Sequence, residues 1–132
     1  MTFDAQATFA NLAEKERVYG HHSAEGRAIR MLSRALSGWS VGDLSAQDAI
    51  VLCDQAIEDW LKARLKLSQW SAKSLTELSA KALEENLLMP LDAVNLQRLH
   101  HRRMQLDGTT LAAAEVELAL VDCIQIVDKY WS

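Results

Sequence analysis

Residues 91–131, LDAVNLQRLHHRRMQLDGTTLAAAEVELALVDCIQIVDKYW, read as two helices joined by a tight turn. Pro90 suits the first turn of the earlier helix, which the apolar spacing carries to about residue 107, and Gly108 suits its end. Thr109 or Thr110 can cap the later helix, whose main stripe is Ala113, Val116, Leu120, Cys123, Val127 and Trp131. A second apolar line, Leu111, Leu118 and Val121, runs partly along its other side. A helix apolar on two sides sits centrally or meets a partner. The expectation is a homodimer, with Leu111, Leu118 and Val121 as candidate interface residues.

Helical periodicity extends outward from this hairpin over most of the chain. It breaks near 20–23, 37–44, 69–74, 87–90 and 107–109. The clearest further helix runs from about Ser45 to Ser68, with Ser45 as N-cap and Asp48 in its first turn. Ala49, Leu52, Cys53, Ala56, Trp60, Ala63 and Leu67 form its inner stripe, and Asp48, Gln55, Asp59, Lys62 and Lys66 lie opposite. The capping box from Ser74 to Glu77 opens a shorter helix over 75–87. Earlier in the chain, Phe9 and Leu12 suggest a helix up to Tyr19, and residues 20–23 form a joint. Ile29, Leu32 and Leu36 mark a helix ending near Gly38. The pattern predicts an all-α fold, one domain over residues 1–132, built as a bundle of about five helices.

Composition agrees with that. A chain of 132 residues buries one core. One Pro and five Gly are too few for a turn-rich β design. A net charge of −4 gives no global pull toward nucleic acid. Cys53 and Cys123, both within helical patterning, read as buried thiols. The N-terminal residues lack a signal-peptide layout, and no apolar run approaches the ~20 residues of a membrane span. A cytoplasmic protein without membrane contact is expected. Trp39, Trp60, Trp70 and Trp131 read as core and interface anchors.

Chemistry concentrates in two places. His100, His101, Arg102 and Arg103 cluster near the end of the 90–107 helix and are the candidate catalytic residues. Leu91, Leu96, Leu99 and Leu106 define that helix's apolar side, and an ideal helix fans the four polar groups around it. They converge only if a neighbouring helix or a second copy gathers them; otherwise they form a basic helix end that complements the macrodipole. Arg27, Arg30 and Arg34 make a narrow basic stripe, a candidate phosphate- or partner-binding face. Glu14, Glu16 and Glu25 are near enough in sequence to neutralise it. Arg17 and His22 also bracket four residues, at the edge of a break. The chain has no spacing of the H-x3-H, H-E-x-x-H or C-x2-C kind, no Gly-rich phosphate loop and no nucleophile elbow. No metal or cofactor is expected.

Residues 91–131 resemble the C-terminal half of HEPN domains, small all-helical modules associated with RNA cleavage or with nucleotidyltransferase partners, and with the preceding core helix the resemblance spans about 90 residues. The helix from 45 to 67 looks like the family's core helix. Glu115, Ala119, Leu120, Ile126 and Val127 are similar to the pattern of its last one. The family's motif is an Arg, a polar residue and, four to six residues on, a His that assists proton transfer. After the Leu96 to Leu99 step the Arg position falls on His100 and the polar position on His101. The His position falls at Gln105, Leu106 or Asp107; starting from Arg102, it falls at Asp107, Gly108 or Thr109. None is His. The resemblance therefore implies a degenerate, non-catalytic interaction module in RNA processing, toxin–antitoxin or stress and defence systems, with RNA or a nucleotidyltransferase as partner. Two alternatives stand beside it: a metal-independent endoribonuclease with a rearranged His/Arg site, and an unrelated helical protein-docking bundle.

Overall fold

Side-chain caps and apolar spacing set the helix limits. The computed structural model describes residues 5–20, 23–68, 73–104 and 113–130. Six α-helices lie among them: α1 (Ala5–Tyr19), α2 (Ala24–Ser40), α3 (Ala46–Arg64), α4 (Leu75–Glu84), α5 (Pro90–Met104) and α6 (Ala113–Tyr130). The all-α bundle is as the periodicity predicts, with six helices against a count of about five, and α1 and α2 correspond to the two N-terminal helices that the spacing suggests.

Ser45 caps α3 by accepting the Asp48 N–H at 3.1 Å. Ser74 and Glu77 make both halves of the capping box that starts α4. Pro90 opens α5. The α3 helix stops at Arg64, four residues short of the expected Ser68. Lys66 turns left-handed at φ 59°, and the Leu67 N–H reaches back to the Lys62 carbonyl at 2.8 Å. That αL step closes the helix and folds half-buried Leu67 against the core. Asn86, at φ 61°, ends α4 in the same way. The expected caps at Gly108, Thr109 and Thr110, the His21–His22 joint, Trp70, Trp131, Leu106 and Leu111 lie outside the described residues.

At the α1–α2 corner, Gly20 takes φ +92° and Ser23 caps α2. The two helices close so tightly there that a Cβ on Gly26 would lie 2.1 Å from the Gly20 carbonyl oxygen.

The α3 helix is the centre of the bundle, packing against α2, α4, α5 and α6. Two apolar lines give it that place. Ala49, Cys53, Ala56 and Trp60 form the expected one; Ile50, Ile57, Leu61 and Leu65 form a second beside it, and all eight are buried. Each large side chain hidden in this way contributes about 1.5–3 kcal/mol. Lys62 departs from its expected place on the wet face. It is buried, with its ammonium 3.0 Å from Glu58 and its stem along the core.

Val116, Leu120, Cys123 and Val127 of α6 face inward as their stripe predicts, whereas Ala113 is exposed. Leu118 is 39% exposed and Val121 is half-buried. No helix among the described residues is long and apolar enough to cross a membrane.

Candidate functional site

The α5 helix buries only three side chains, Ala93, Leu96 and Leu99. Leu91, expected on the same face, is 70% exposed instead. At 100° per residue it stands well away from the Leu96–Leu99 arc. Several charged and polar side chains of α5 also meet partners on α3 and α6.

The principal contact is a carboxylate. Asp54, in the middle of α3, has no exposed surface. His100 places Nδ1 2.9 Å from one of its oxygens, and Arg103 places Nη1 2.7 Å from the other. His100 and Arg103 are three residues apart and so share the inner face of α5. A carboxylate only accepts hydrogen bonds, so Nδ1 of His100 carries a proton and donates it. The imidazole's other nitrogen, Nε2, is left for a different partner. The His100 side chain is 19% exposed and that of Arg103 30%, so the cluster leads from a dry interior to the surface.

A second buried acid repeats the device. Asp122 on α6 receives Arg98 Nη2 at 2.9 Å, and Arg98 also donates to Asn95. Arg102 approaches Glu115 of α6 at 3.6 Å, and His101 is exposed. At its start, α5 is tied by Asp92, which accepts from Tyr130 Oη and, at 3.1 Å, from Lys129. The same Tyr130 oxygen accepts the Met89 N–H at 3.0 Å.

Each buried acid has a cysteine beside it in the chain, Cys53 before Asp54 and Cys123 after Asp122. Cys53 and Cys123 are fully buried free thiols, and Cys123 Sγ is 4.0 Å from the Cys53 carbonyl oxygen. Burial pushes the Cys123 thiol well up, and neighbouring Cys53, Asp122 and Asp54 push it further. A protonated, enclosed thiol is a poor nucleophile. Among the described residues, no group of three or more His, Cys, Asp or Glu side chains could hold a metal ion.

Of the four clustered candidates, the structure thus gathers His100 and Arg103 on one buried acid and leaves His101 and Arg102 pointing elsewhere. The four groups fan around α5, and a neighbouring helix, α3, collects two of them. Asp54, which collects them, is the residue that pattern reading missed. Its signal was present, because it interrupts the apolar line Ile50, Ile57, Leu61 at a core position.

The arginine stripe of α2 divides in two. Arg27 borders a small cleft with Asp59 and Lys62 of α3, while Arg30 and Arg34 face α1, where Arg30 Nε lies 3.1 Å from Glu16. Comparison of the chain with protein-family models, with curated proteins and with solved structures finds no match in any of the three.

Proposed function

We propose that this chain is a non-catalytic helical interaction module, a degenerate relative of HEPN domains. In this reading it acts as a cytoplasmic homodimer beside a protein partner, such as a nucleotidyltransferase, or RNA, in RNA processing, toxin–antitoxin or defence systems. One observation carries the non-catalytic part. The His and Arg best suited to act on a phosphate, His100 and Arg103, are both bound to fully buried Asp54. A guanidinium that balances an interior carboxylate is poorly placed to serve a transferring phosphoryl group, because leaving Asp54 would expose an uncompensated buried charge. The half-exposed Leu118 on α6 supports the dimer, whose mass light scattering after gel filtration would report.

A second reading has its own support. With Nδ1 held by Asp54, His100 has a fixed ring orientation and, among the described residues, an uncommitted Nε2, the arrangement of a general acid–base. Under it the protein is a metal-independent endoribonuclease. Cleavage of RNA in a chelating buffer by wild type and by His100→Ala/His101→Ala separates the two. The module reading expects no cleavage by either protein and a lower unfolding midpoint in the variant. Cleavage by wild type that falls about 100-fold or more in the variant establishes the nuclease instead.

A further inference from the structure

We draw no further inference here: the strongest candidate, the exposed apolar face of α5 formed by Leu91 and Val94, carries nothing because nothing in the structure shows what covers it.

Discussion

Replacing Asp54 by Asn tests how much the buried cluster stabilises α5 against α3. The substitution keeps volume and one carbonyl oxygen but removes the charge and exchanges the second acceptor for a donor. If the oxygen stays with Arg103, the new amide faces His100 Nδ1. Neutral imidazole can move its proton to Nε2 and accept at Nδ1, so that hydrogen bond survives. The main loss is therefore the ion pair with Arg103. Removing one partner of a wholly buried pair costs about 3–5 kcal/mol. Arg103 is 30% exposed and recovers some hydration, which lowers the expected loss to about 2–3 kcal/mol. With a urea dependence of roughly 1.5 kcal/mol per molar, the midpoint should fall by about 1.3–2 M. Urea unfolding followed by far-ultraviolet circular dichroism measures this. Glu14→Gln, which removes the surface pair with Arg17, should leave the midpoint where it is. An Asp54→Asn protein within about 0.5 kcal/mol of wild type would refute the reasoning, since that is the range of an ordinary surface change.

Four further outcomes follow from the structure. Gly26→Ala drives a Cβ against the Gly20 carbonyl oxygen and should destabilise by about 1–3 kcal/mol, read as a lower thermal midpoint. Cys53 and Cys123 should resist iodoacetamide at neutral pH until urea unfolds the chain, because both are enclosed. The raised Cys123 value means that the folded chain keeps a proton which the unfolded chain releases above the ordinary 9.0, so stability should fall as pH rises beyond it. Asp128 behaves oppositely. The hydrogen bond from Lys15 is the main cause that lowers its value, helped by Asn11 and opposed by burial. Its contribution is present above the ordinary 3.8 and is lost as pH falls below that, so Asp128→Asn should flatten acid unfolding. With its side chain 55% exposed, the effect should be below about 1 kcal/mol.

Helix existence and caps were legible where the signal is local. Ser45, the Ser74–Glu77 box and Pro90 act through neighbours within four residues, and the chain follows them. The end of α3 was not legible, because no Gly marks it; Lys66 accepts the left-handed turn while Leu67 packs onto the core. Lys62 misled for a related reason, its long stem lying inward while its charge meets Glu58. The His–Arg cluster was visible as composition, but its convergence was not. That depends on Asp54, 46 residues from His100 in the chain, and on the rotation of α5 that turns Leu91 out to solvent. Charged residues within an apolar line, Asp54 in α3 above all, deserve the weight that pattern reading gives to unbroken stripes.

The spacing of the polar ties along α5 has a consequence for sequence change. Asp92, Arg98, His100 and Arg103 each meet a partner fixed on another helix, so they work like the cuts of a key. A purely greasy helix can slide or roll by part of a turn and lose little at each intermediate position. This one cannot, because inserting one residue between Asp92 and Arg98 turns the later ties by 100° relative to the first. Tolerance to substitution on its outer face should therefore coexist with near-zero tolerance to insertion or deletion within it.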